Sequence, residues 1–254
     1  MTQFDPATLL GDYRAMLDGA IADARADLSG LQAKPKYMTL AAVYLTVLQS
    51  TIEAANALRA PTITIGGVVR SILESYADLH ALARNPLYAR RMLATLYEQR
   101  CKLFQDMLTH PANQYHASLA QQLDPAAELA QSTQQLNTEK AAGYQPLNNY
   151  DRMDAAGLSN EYRSLYWQLC LESHNSIATI EARHIDSARD GVIRLVLERD
   201  NPPGTMLKYL DSLVSMLIEA SLLVYSKVNP QMCVRWQRRQ ADLHAYRSAN
   251  IPVG

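Results

Sequence analysis

Apolar residues recur along nearly all of this chain at three- and four-residue spacing, which gathers them on one side of a helix; the alternation of a half-buried strand is almost absent. The first helix is announced by Asp5-Pro6, an N-cap followed by a proline at the first helical position. Leu9, Leu10, Tyr13, Met16, Leu17, Ile21 and Leu28 trace its face, and Gly30 ends it. A second helix, about Met38 to Arg59, is apolar on more than one side, as a central helix is. The stretch "APTITIGG", with Pro61 and paired glycines, interrupts the pattern. A third helix, "VVRSILESYADLHALAR", then stops before Asn85-Pro86, and a fourth runs from there to Pro111. Short turns between long helices predict antiparallel neighbours.

The Gln-rich stretches "SLAQQL" and "ELAQSTQQLN" carry the weakest apolar stripe, with Asp124-Pro125 restarting a helix between them. They predict a peripheral helical excursion or lid. "AAGYQPLNNYDRMDAAGLSNE" reads as a loop with one turn, after which Ser159 caps a helix. "GVIRLVLE", Gly191 to Glu198, is the one strand-like run. "MLKYLDSLVSMLIEASLLVYSKV" is apolar enough to suggest a membrane span, but Lys208, Asp211 and Glu219 interrupt it and make it a buried core helix instead. The fold expected is therefore all-α, an antiparallel helical bundle with at most one short strand-like segment. With no repeat and no long linker, one domain over residues 1–254 is expected, closed by an amphipathic basic helix at 231–254.

Composition narrows the function. The 254 residues are 48% hydrophobic and 19% charged, which suits a soluble globular chain with a sizeable core. Because 24 Lys+Arg face 25 Asp+Glu, a broad electrostatic grip on nucleic acid or an anionic membrane is not expected. Cys101, Cys170 and Cys233 are odd in number and lack CxxC pairing, which points to a reducing cytoplasm rather than a disulfide framework or zinc site. The amino terminus lacks the basic start and apolar core of a signal peptide.

Two constellations stand out against the helical background. Arg70, Glu74 and Asp78 recur every four residues on the third helix, so an Arg70–Glu74 pair is available. It is either a solvated face or an inward polar stripe that needs a partner from another helix. "YRSLYWQLCLESHNSIATI" offers one, because Tyr166, Cys170, Ser173 and His174 flank its apolar stripe and Asn175 follows. A histidine so placed is more often a hydrogen-bonded structural residue than a base, although a carboxylate such as Glu74 would suit either role. If the chain is an enzyme, His174, Arg70, Glu74 and Ser173 are the catalytic candidates, with Tyr166 and Asn175 as binding residues.

Other chemistry is thinly represented. A ferritin-like metal site needs two Glu-x-x-His pairs, and Glu181–His184 is the only one, so no metal and no cofactor are expected. The GxSxG elbow, the Walker loop, the dinucleotide glycine fingerprint and HExxH are absent. In the terminal helix, Arg238 or Arg239 with His244 fits the Arg-x4-6-His spacing of helical ribonucleases, a short spacing that chance also supplies. The interleaving of Trp236 and Tyr246 with Arg235, Arg238, Arg239 and Arg247 is the mixture interfaces favour. That helix is expected to mediate self-association or bind a protein partner, with RNA second, and to be removable without unfolding the bundle.

"VVRSILESYADLHAL" followed by "MDAAGLSNEYRSLYWQLCLESHNS" resembles the bacterial helical proteins grouped as domain-of-unknown-function family 5677. The resemblance rests on Arg70 and Glu74, Tyr162 and Tyr166, and Ser173 and His174. The arrangement is also similar to the HEPN superfamily, which holds toxin and phage-defence ribonucleases beside inactive scaffold members. The missing catalytic signatures and the near-neutral charge point to a cytoplasmic interaction or regulatory protein, for which the resemblance implies a setting in stress or phage defence; the rival expectation is a metal-independent ribonuclease using His174 and Arg70. In HEPN nucleases the Arg and His lie within one short span, whereas here they stand on separate helices.

Overall fold

The computed structural model describes residues 5–31, 33–59, 65–173, 180, 181, 184–187, 193–195 and 202–250. They form two compact units, Met1–Arg84 with Met153–Gly254, and Asn85–Arg152. The chain leaves the first unit at Asn85-Pro86 and re-enters it at Met153, so the second is an insertion in sequence.

The first unit begins with α1 (Pro6–Asp27), whose start is fixed as the sequence indicates: the Asp5 carboxylate accepts from the Ala7 and Thr8 amides at 3.1 and 3.3 Å. It is followed by α2 (Met38–Ala57) and α3 (Ile65–Arg84). The glycines Gly66 and Gly67, which read as interrupting the pattern, lie inside α3. The apolar segment that ends near Val228 is a core helix, α10 (Pro203–Val228), and it packs against α1, α2 and α3. Its Leu210, Leu213, Val214, Leu217, Val224 and Tyr225 are buried, and its Ser221 meets Tyr44 of α2 at 2.9 Å. Pro35–Ala57 has the length and apolarity of a membrane span, yet Leu40, Tyr44, Val47 and Leu48 on it are buried in this unit.

The last helix, α11 (Cys233–Asn250), is integral to the first unit rather than a removable tail. Trp236 is completely buried and donates its indole N–H to Asp27 on α1 at 3.1 Å. An amphipathic basic helix reads as a separable surface element, but here its aromatic residues face the protein's own aspartates.

The second unit is an antiparallel pair, α4 (Tyr88–Thr109) and α6 (Pro125–Ala141), bridged by α5 (Gln114–Ala120). Its register is pinned at both ends, by Arg90–Glu139 at 2.7 Å and Arg100–Glu128 at 2.5 Å. The Gln-rich excursion falls in this unit.

Where the chain returns to the first unit, the stretch expected as a loop contains α7 (Asn149–Ala156), two turns rather than one. A helix then opens at α8 (Ser159–Glu161), passes through a π-helical stretch at Tyr162–Tyr166 and continues as α9 (Trp167–Ser173). Ser159 does not cap it: Leu158 holds that position, and the Ser159 hydroxyl donates to Asp154 at 2.7 Å. The strand-like run contributes β2 (Ile193–Leu195), which pairs antiparallel with β1 (Ile185–Ser187), Ile185 opposite Leu195. Periodicity does not mark β1 because three residues are too few to alternate, but a strand needs a partner for its backbone groups.

Candidate functional site

The Arg70–Glu74 stripe is not a solvated face. Both side chains are about three-quarters buried, and Arg70 Nε donates to Glu74 Oε1 at 3.1 Å. Tyr166 closes a triangle with them. Its hydroxyl donates to the same Glu74 oxygen at 2.9 Å and accepts from Arg70 Nε at 3.2 Å, while the Arg70 guanidinium lies over its ring, 5.1 Å from the centroid. Arg70 Nη1 also reaches Ser173 Oγ, at 3.5 Å.

The π-helical stretch explains how Tyr166 reaches α3. Its wider turn, with i to i+5 bonds, shifts the facing of the side chains that follow, and such insertions collect at functional positions. Tyr162 stacks on Tyr166, with centroids 5.0 Å apart and rings within 18° of parallel. Burial of the phenol, reinforced by the carboxylate it faces, holds Tyr166 above the ordinary tyrosine range, so it stays protonated and donates. For Arg70, burial works against the charge, but Tyr166 and Glu74 outweigh it and hold the guanidinium above its usual value.

A second Tyr–Glu contact seats the same segment, with Tyr209 of α10 donating to Glu172. The approach requires glycine: a Cβ on Gly66 would lie 2.9 Å from both Cβ and Oε2 of Glu172. Glu172, Tyr209 and Gly66 escape sequence reasoning because Tyr209 sits on a strongly apolar helix and glycine at a helix start reads as a breaker. The signal that could have found Gly66 is its pairing with Gly67 immediately before an uninterrupted helical period.

Of the residues singled out from sequence, the structure brings together Arg70, Glu74, Tyr166 and Ser173. His174 and Asn175 lie outside the described residues. Asp78 is buried further along α3. The terminal-helix residues form a separate set engaged with α1: Arg235 pairs with Asp27 at 2.7 Å, and Arg239 bonds Asp23 at 2.6 Å and the Gly19 carbonyl at 2.9 Å. Arg238 and His244 are exposed. Arg247 pairs with Asp211 and Tyr246 donates to Asp12, each at 2.7 Å. The Arg-x4-His spacing thus includes an arginine already held by a carboxylate. Among the described residues, no three His, Cys, Asp or Glu side chains are grouped to hold a metal ion.

The segment that supplies Tyr166 and the helix that supplies Arg70 fall within one homology span: a model described as "Family of unknown function (DUF5677)" matches residues 46–192, more than half of the chain. This protein belongs to that family. No curated protein and no solved structure matches it. The DUF5677 span contains the whole Arg70–Glu74–Tyr166 triangle, Gly66 and Glu172, whereas Tyr209 and the terminal helix lie beyond it.

A titratable group sequence reasoning passed over sits further along α3. His80 is buried, its ring 4.4 Å from that of Tyr76, and its Nε2 has no hydrogen-bond partner among the described residues; Glu219 Oε1 stands 3.7 Å away. Burial lowers its pKa and Arg84 adds to this, against the opposing pull of Glu219. A lowered folded-state pKa means the native protein resists a proton that the unfolded chain accepts near pH 6.5, so stability is full above that pH and falls as pH drops towards the folded value. Urea unfolding should show this loss as the pH falls below about 6.5. His80→Leu should flatten that part of the profile.

Proposed function

We propose that this protein is a non-enzymatic interaction or regulatory module in which Arg70, Glu74 and Tyr166 form a latch seating the 159–173 segment on α3. The supporting observation is charge cancellation. Glu74 neutralises Arg70 at 3.1 Å, and Tyr166 donates to the same carboxylate oxygen. A ribonuclease that used Arg70 to stabilise negative charge developing on phosphate would need the guanidinium free to meet that phosphate. An anionic carboxylate in contact with it would repel the substrate.

The HEPN resemblance supplies the setting for this reading, bacterial stress or phage defence in the cytoplasm. Partner contact, with a second copy or another protein, is assigned to the outward face of α11, where Val234 is 70% exposed beside Arg238. The competing reading has His174 deprotonating a ribose hydroxyl, Arg70 stabilising charge and Ser173 or Asn175 orienting the phosphate.

Labelled single-stranded RNA incubated with the purified protein is expected to remain intact, and His174→Ala is expected to lower thermal stability. Cleavage that disappears in both Arg70→Ala and His174→Ala, with both variants folded, would instead establish the ribonuclease.

A further inference from the structure

A pair of packed helices covers each of its members on one side only, and in the second unit α4 and α6 are such a pair. The α6 side of α4 is marked by Arg90, Arg100 and Cys101, which reach Glu139, Glu128 and Thr133. At about 100° per residue, Met92, Leu96, Gln99 and Leu103 stand well round from that side. Their i, i+4, i+7 and i+11 spacing is that of a coiled-coil seam. The seam is open at the surface: Leu96 is 46% and Leu103 39% exposed, and Gln99 between them is exposed too. Scattered exposed leucines need no explanation, but an aligned row on one helix marks a contact surface.

The charges beside the seam say what covers it. Arg91, Glu98, Lys102 and Asp106 follow one flank of α4 and alternate positive, negative, positive, negative. Turning that row end for end inverts every sign. An antiparallel copy of α4 therefore sets Arg91 against Asp106 and Glu98 against Lys102, whereas a parallel copy sets like against like. Arg91 gives Nε to the Gln145 carbonyl at 3.3 Å and meets no carboxylate among the described residues. Asp106 has imidazoles beside it, His110 at 2.9 Å and His116 at 3.4 Å, and Glu98 and Lys102 hold each other at 2.8 Å in a pair that a second can join. The same two-fold axis, passing near Gln99, sets Leu96 of each copy on Leu103 of the other. It also brings the two Gln99 carboxamides together, each of them both donor and acceptor.

We propose that α4 is a self-association surface, pairing antiparallel with α4 of a second copy about a two-fold axis near Gln99. The surface is distinct from the outward face of α11 and stands whether or not that face binds a partner.

Sedimentation velocity of the full-length protein from about 5 to 500 µM covers the weak range expected of a contact below about 1,000 Å². The protein should pass from monomer to dimer across that series. Leu96→Glu and Leu103→Lys should each weaken the dimer at least about tenfold. Neither should change the melting temperature of the monomer, because both leucines are exposed. Mixed in equal amounts the two variants should recover a dimer, since the carboxylate introduced in one meets the ammonium introduced in the other and one leucine pair stays intact. Val234→Asp on α11 should leave the dimer unchanged. A monomer throughout the series, a dimer untouched by both α4 variants or lost in Val234→Asp, or a mixture that stays monomeric would each overturn the assignment. So would a lower melting temperature for monomeric Leu96→Glu, which would mean that the chain's own residues cover the seam.

Discussion

Replacing Trp236 by alanine is expected to lower the unfolding free energy by about 3–5 kcal/mol, the range for removing a large aromatic side chain from a core. Trp236 is completely buried, so the change opens a cavity between α11 and α1, and it also removes the indole donor from Asp27, itself only 2% exposed. Arg235 still holds that carboxylate at 2.7 Å, so the loss comes mainly from packing rather than from a stranded charge. Urea denaturation followed by circular dichroism measures it. A change under about 1 kcal/mol, the size of an ordinary surface substitution, would mean that α11 does not complete the first unit.

The terminal helix also shows where sequence reasoning reaches its limit. Its amphipathic period and mixture of arginines with aromatics were plain, but the same mixture serves an outside partner and an intramolecular seam. The seam is decided by Asp12, Asp23 and Asp27, more than 200 residues earlier, and no local pattern links them to α11. By contrast, features fixed within one or two turns were legible. The Asp5 cap, the core character of the helix through Leu213 and Leu217, and the Arg70–Glu74 spacing all depend on neighbours three or four residues away. Tyr166 was placed near the polar cluster, yet its exact docking depends on a π-helical turn that period counting at 3.6 residues cannot register. Gly66 reads as a breaker for the same reason: its value lies in the approach of Glu172 from another helix.

The second large effect is expected at Glu74. Glu74→Ala removes the acceptor shared by Arg70 Nε and the Tyr166 hydroxyl and leaves a largely buried guanidinium without its carboxylate. Hydrogen bonds to charged groups contribute about 1.5–3 kcal/mol each, and two that share one oxygen beside partly exposed side chains should together cost about 2–4 kcal/mol. Because the triangle joins α3 to the 159–173 segment, the variant should also gain hydrogen exchange in that segment before the rest of the first unit opens. Glu74→Gln should lose less, since an amide oxygen still accepts from both donors but without the charge.

The central claim, that the triangle is a latch, is tested most directly by a double-mutant cycle of Glu74→Ala and Tyr166→Phe read by equilibrium unfolding. Tyr166→Phe deletes only the hydroxyl that donates to Glu74 at 2.9 Å. If the two side chains act as one device across α3 and the 159–173 segment, the double variant should be more stable than the sum of the single losses implies, with a coupling of about 1–2 kcal/mol. Losses that add within about 0.3 kcal/mol would contradict the latch and return Arg70 and Glu74 to the status of an isolated helical pair.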